Sequence, residues 1–412
     1  MKIKYIDNDI NKGIKYDYKF LLKEYNKLGI PKEYHTPASY NFNNSNYFVE
    51  LSERSVGKTT NWLLFGMIMN KHYGTVIQYI RQTSDMITPK YLKQLFETII
   101  LNGYIEKITD GEFNNVQLKA NKWRYIHVNG DGNIDKICDK HFMYNLCINY
   151  SEVYKSTYNE PLGDLIILDE FISKVYLPDE FIYFLDVVKT IQRERQSIKI
   201  VMLANTLDIY NQYLHELCIF DTVQSMQVGQ TVSLTTKGGT TITISIIQPN
   251  DKLREKKKKS NNLYYGFSNT KLNSIRGGGW NYSQAQHIPS FDYDTILHNV
   301  YILHNNKLIN LEFVKNKLGL CVYVHWAFYT YDDSIIYTLD DMTDHRYIYA
   351  LGNNERISKL ILRLYKENRF FYSSNDCKNF LENYFKCCKN VMKWYNKDVV
   401  IVLLIVQAFM VI

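Results

Sequence analysis

Ser52-Glu53-Arg54-Ser55-Val56-Gly57-Lys58-Thr59 follows the aromatic and β-branched run Tyr47 to Leu51 and leads into the helical pattern Lys58 to His72. Much further on, Leu165-Ile166-Ile167-Leu168-Asp169-Glu170 is an apolar run that closes on two adjacent carboxylates. The first stretch reads as a phosphate-binding loop without its leading glycine, the second as a buried strand ending in acids. In this order they spell nucleotide hydrolysis.

The chemistry asks for these residue types. A triphosphate needs a nest of backbone N–H groups at a helix N-terminus, here supplied by Ser52, Arg54, Ser55, Val56, Gly57, Lys58, Thr59 and Thr60, with Gly57 allowing close approach. Lys58 would bridge the β- and γ-phosphates, and the Thr59 hydroxyl would hold Mg²⁺. Asp169 would position that ion, and Glu170 would polarise the attacking water. ATP and Mg²⁺ are the expected ligands. An ordinary strand-turn-helix is the plain alternative, but the helix dipole disfavours a lysine in the first turn.

Alternation of strand and helix patterns continues outward. Thr75 to Ile80 reads as a strand closed by Arg81, 82–98 as helical, Lys122 to Val128 and Phe142 to Ile148 as strands, Asp179 to Ile191 as a helix and Ile198 to Leu203 as a strand ending in Ala204-Asn205. This implies an α/β parallel sheet whose C-terminal edge collects Ser52–Thr59, Asp169, Glu170 and Asn205. Asn205 fits a sensor of the γ-phosphate, or a turn asparagine after the strand. Arg193 and Arg195 fit cations at a helix C-terminus, or an arginine finger inserted into a neighbouring subunit.

Composition sets the bounds. A chain of 412 residues has room for two domains, and 46% hydrophobic with 22% charged residues is an ordinary globular balance. A net charge of +7 favours a polyanionic partner. Seven cysteines, without a Cys-x-x-Cys pair, give no disulfide framework and suggest a reducing cytoplasm. Cys138 and His141 have the spacing of half a metal site with no second half. The apolar tail Val399 to Ile412 is shorter than the roughly twenty residues that span a bilayer, so no membrane is expected as a partner.

At this point the residues resemble a known family, the DNA-packaging ATPases, or encapsidation proteins, of small protein-primed podophages. The resemblance rests on Phe48 to Thr59, Tyr79-Ile80-Arg81, Ile167-Leu168-Asp169-Glu170-Phe171-Ile172, Leu177-Pro178-Asp179-Glu180, Arg193-Glu194-Arg195, Leu203-Ala204-Asn205 and Asn211-Gln212-Tyr213. It covers about residues 45 to 215 and continues more weakly through 260–385. It implies an ASCE-type motor that drives double-stranded DNA into a prohead, working as a five-membered homo-oligomeric ring on the portal in the host cytoplasm, with a prohead RNA as a further partner. It implies Arg193 as the trans-acting finger, Arg195 as its companion, and Lys155 as a basic residue near the subunit boundary unless it is a solvated loop lysine. Ser52 replaces the family's first glycine, the N-terminal extension is longer, and the apolar tail lies outside the resemblance.

Four segments are expected: an extension over 1–45, the P-loop ATPase domain over 46–248, a basic linker or lid over 249–290, and a smaller α+β domain over 291–412. Within the linker, Lys256, Lys257, Lys258 and Lys259 form either a solvated face or a DNA-backbone contact. Strand patterns at Asn299–Leu303, Lys307–Val314, Cys321–Trp326 and Ile335–Leu339, then helical ones at Arg356–Tyr365 and Lys378–Tyr384, resemble the RNase H-like nuclease module of packaging motors. Glu312, Asp332, Asp333, Asp340 and Asp341 are its available carboxylates, but the Asp pairs look like turns and His325 stands where an acid is expected. The module is therefore expected to be vestigial. The rival readings are a terminase-like motor with an active metal-dependent nuclease, and a nucleotide-gated DNA-loading protein with little turnover.

Overall fold

Leu165 to Asp169 is buried along its whole length, as a strand must be when helices cover both faces of its sheet. In the computed structural model it lies near the middle of a nine-stranded sheet. The structure describes residues 15–37, 42–52, 56–172, 179–193, 195, 197–205, 212–252, 255, 295–316, 319–339, 345–351, 356–374, 376–385 and 387–388. Arg54, Ser55, Lys256–Lys259, Asp340, Asp341 and the apolar tail lie outside these. The chain divides into two compact units, and the described residues from 295 onward form the second.

The first unit runs α1 (Tyr18–Asn26), β1 (Tyr47–Ser52), α2 (Lys58–Tyr73), β2 (Ile77–Arg81), α3 (Pro89–Leu101), α4 (Tyr104–Ile108), β3 (Asn115–Lys119), β4 (Lys122–Val128), β5 (Ile134–Cys147), α5 (Ser151–Thr157), β6 (Leu165–Asp169), α6 (Glu180–Gln192), β7 (Lys199–Ala204), α7 (Gln212–Glu216), α8 (Phe220–Ser225), β8 (Thr231–Thr235) and β9 (Thr241–Ile247). The sheet order is β3-β4-β5-β2-β6-β7-β1-β9-β8. Its six middle strands, β5 to β9 in that order, are parallel, and antiparallel strands close both edges. One strand, β7, separates β1 from β6, so the loop after β1 and the acids after β6 face each other across the end of β7.

Pattern and structure differ at α2. Trp62, Phe65 and Met69 suggest one apolar face, yet every residue from Asn61 to Asn70 is buried. Tyr16, Leu21, Tyr25 and Leu28, in and around α1, share the core of Trp62, Phe65 and Phe48 and cover the outer face. Residues 15–37 thus contribute side chains to this unit's core. The inner face of α2 sits directly on the sheet: a Cβ at Gly66 would lie 2.7 Å from Ile77 Cδ1 and 2.8 Å from Leu165 Cδ2.

The second unit contains β10 (Ile296–His304), β11 (Lys307–Asn316), β12 (Gly319–Trp326), β13 (Ile335–Thr338), β14 (Tyr347–Tyr349) and β15 (Phe370–Tyr372). An antiparallel meander β10-β11-β12 is extended on the β10 side by parallel β13 and β14, and on the β12 side by parallel β15. The meander with parallel strands added beside its first strand fits the arrangement expected of an RNase H-like module. No helix occurs in the link 327–334 between β12 and β13. Helices Arg356–Lys366 and 376–385 come later. Among the described residues no helix is long and apolar enough to cross a membrane.

Candidate functional site

Chain geometry aims the site. Gly57 takes φ +90°, a left-handed conformation that favours glycine, and caps α2. The turn brings the start of α2 to the C-terminal edge of the sheet, where β6 ends at Asp169 and β7 at Ala204. Glu170 also has a positive φ, +57°, which turns the chain out of β6 directly after Asp169.

The side chains named from the sequence meet here. Lys58 is buried, at 5% exposure, and its Nζ donates to Ser52 Oγ and, at 3.0 Å, to Asn205 Oδ1. Thr59 Oγ1 donates to Asp169 Oδ1 at 3.1 Å. Asn205 Nδ2 lies 3.5 Å from Glu170 Oε1. The hydroxyl and carboxylate oxygens of Thr59 and Asp169 are the hard donors that suit Mg²⁺, and they sit within bonding distance beside the helix N-terminus. Ser52, in the position of the missing glycine, gives the lysine an acceptor that a glycine side chain lacks. Val56 is buried, while Thr60 lies partly exposed on the first turn of α2.

Two residues that the sequence offered only as part of a matching string join the acids. Tyr79 donates its hydroxyl to Asp169 Oδ2 at 2.7 Å, and burial together with Asp169 pushes that hydroxyl well above its usual range, so it stays a donor. Arg81 bridges the carboxylates, Nη1 to Asp169 Oδ2 at 3.2 Å and Nη2 to Glu170 Oε2 at 2.6 Å. The signal was available: both lie on a strand that ends at the same sheet edge. Beyond Arg81, Gln82 Nε2 donates to Glu180 Oε2 at 2.6 Å, and the Tyr213 hydroxyl donates to Glu180 Oε1 at 2.8 Å. Burial raises the Glu180 carboxyl to about 7, against the opposing pull of these two hydrogen bonds. A buried acid thus ties the end of β2 to α6 and α7.

The two arginines part company. Arg193 follows the last turn of α6 with φ +50°, is exposed, and donates from Nη2 to the Tyr158 carbonyl at 3.0 Å. Arg195 is buried: it donates to the Pro161 and Ile191 carbonyls, and its Nε lies 3.3 Å from Asp164 Oδ1. Its guanidinium is thus committed to carbonyls and a carboxylate of its own fold. Lys155 lies on α5 rather than in a loop, paired with Glu152 at 2.7 Å and Asp186 at 3.2 Å.

Among the described residues the remaining metal candidates do not assemble. His141 pairs with Glu160 at 2.6 Å, and Cys138 packs beside the core. In the second unit Glu312 pairs with His325 at 3.0 Å, while Asp332 and Asp333 occupy a turn. Among the described residues no three His, Cys, Asp or Glu side chains are grouped to hold a metal ion.

No family model and no curated protein matches the chain. Solved structures do. A chain of the bacteriophage Phi-29 viral genome packaging motor assembly is 14% identical, with 86% of this chain and 99% of that one covered at a TM-score of 0.52. The Phi-28 gp11 DNA packaging motor is 16% identical over 86% and 97%, at 0.47. The Thermus phage P74-26 large terminase ATPase domain is 14% identical over 63% and 98%, at 0.37. At such identities the likeness is one of fold. The chain shares, over most of its length, the fold found in the Phi-29 motor assembly.

Proposed function

We propose that this chain is an ATP-driven motor that moves viral double-stranded DNA into a prohead, as a homo-oligomeric ring at the portal in the host cytoplasm. The observation that carries the reading is the meeting of Lys58, Thr59, Asp169, Glu170 and Asn205 at one edge of the sheet. The fold shared with a genome packaging motor chain supports the same reading. A pentamer and a prohead RNA belong to it as the family's pattern.

Each side chain has a task in hydrolysis. The backbone around Gly57 cradles the phosphates, and Lys58 moves from Ser52 and Asn205 to the β- and γ-oxygens. Thr59 and Asp169 would hold Mg²⁺, which would supply Lewis-acid neutralisation of the phosphate charge. Glu170 polarises the lytic water once it leaves Arg81, and Asn205 senses the γ-phosphate. Arg193 completes the site of the next subunit, while Arg195 braces its own.

Grip on DNA must be blind to sequence, since a motor accepts every base step. Lys256 to Lys259 and the second unit, as a non-cleaving docking module, are the proposed contacts. To test the shared site, Arg193→Ala protein is mixed with Lys58→Ala protein. Recovery of ATPase above that of either alone is expected, and no recovery in rings demonstrated to be mixed refutes action in trans.

A further inference from the structure

Binding a nucleotide requires a place for its base, and the sheet order says where it goes. Arg81, Asp169, Glu170 and Asn205 come from β2, β6 and β7, all on one side of β1. The γ-phosphate must point to that side. The nucleoside then leaves the phosphate loop toward the other side, where β9 is the neighbour of β1 and Ile247 is the register partner of Ser52.

A small apolar cluster stands there, apart from the main core. Val56 and Ile247 are buried in it, and Tyr34 packs on them while remaining partly exposed. The Tyr34 ring also reaches the loop itself: a Cβ at Gly57 would lie 3.2 Å from Tyr34 Cδ1. Its backbone is held down. The His35 N–H donates to the Val56 carbonyl at 3.0 Å, the Asn61 amide donates to the His35 carbonyl, and the His35 ring lies 3.3 Å from the buried Glu50. Phosphate binding alone gives no reason to strap residues 34–35 across this turn.

We propose that Tyr34, with Val56 and Ile247 beside it, is the platform on which the nucleobase stacks. The inference rests on the nucleotide reading above and deepens it. A flat purine lies against the phenol ring, gaining the stacking that every base face offers to an aromatic side chain. The three cluster residues carry no charge and only one polar side-chain group, so the platform grips the base face and discriminates weakly among purines. Inorganic triphosphate, having no base, gains nothing from it.

The test is calorimetric titration of the full chain with a non-hydrolysable ATP analogue and with inorganic tripolyphosphate, both with Mg²⁺. Tyr34→Ala is expected to weaken the ATP analogue about fivefold to a hundredfold. Tripolyphosphate affinity should stay within about twofold, which also reports an intact phosphate loop, and Tyr34→Phe should bind both as the wild type does. Unchanged ATP-analogue affinity in Tyr34→Ala, or an equal loss of both ligands, overturns the platform and leaves the nucleotide reading standing. Wild-type protein that binds neither ligand overturns both.

Discussion

Replacing Glu180 by Gln isolates the buried acid between the end of β2 and the helix that leads to Arg193. Glu180 is 4% exposed, and burial lifts its carboxyl from the usual 4.5 to about 7, while Tyr213 and Gln82 pull the other way. The folded chain therefore binds this proton more tightly than the unfolded chain. The associated stability is fully present below about pH 4.5, falls as pH rises, and is gone above about pH 7. The rise corresponds to about 3 kcal/mol. Gln keeps the shape, accepts a hydrogen bond and carries no charge, so Glu180→Gln should escape this loss. Thermal unfolding of both proteins from pH 5 to pH 8 is the assay. Near pH 5 the midpoints should nearly coincide, and by pH 8 the variant should melt higher by roughly 5–10 °C. Parallel curves across the range, or a variant that melts lower at pH 8, refute the argument that burial controls this carboxyl.

Arg193 and Arg195 should respond oppositely to alanine. Arg195→Ala removes a buried cation from Asp164 and two carbonyls and should destabilise by about 3–5 kcal/mol in denaturant titration. Arg193→Ala should leave stability nearly unchanged while ATPase falls by about three to five orders of magnitude. Gly66→Ala should cost about 1–3 kcal/mol in the same titration, because its methyl meets Ile77 and Leu165 at under 3 Å.

Much of the site was legible because its chemistry is local. Gly57-Lys58-Thr59 and Asp169-Glu170 each sit on a strand end whose apolar run is self-evident, and Ala204-Asn205 closes a third. Arg81 and Glu180 were harder to place: their partners lie 88–89 and 98 residues away or at Tyr213, and no periodicity announces such pairings. Tyr34 falls within the extension expected over 1–45; nothing in its sequence announces that Tyr16, Leu21, Tyr25 and Leu28 complete the core over α2 or that Tyr34 packs on Val56 and Ile247. Thr231–Thr235 and Thr241–Ile247 went unread as strands; their Lys-Gly-Gly turn between threonine-rich runs was the missed hairpin signal. Arg195 could not be told from Arg193 by spacing, since only burial separates a brace from an exposed cation.

The central claim is that ATP hydrolysis at this sheet edge moves DNA into a prohead. Its most direct measurement is DNase-protected DNA in proheads supplied with DNA, this protein and ATP. Genome-length protected DNA with the wild type and none with Lys58→Ala is predicted. No protection by an actively ATP-hydrolysing wild type, or equal protection by Lys58→Ala, would contradict the account.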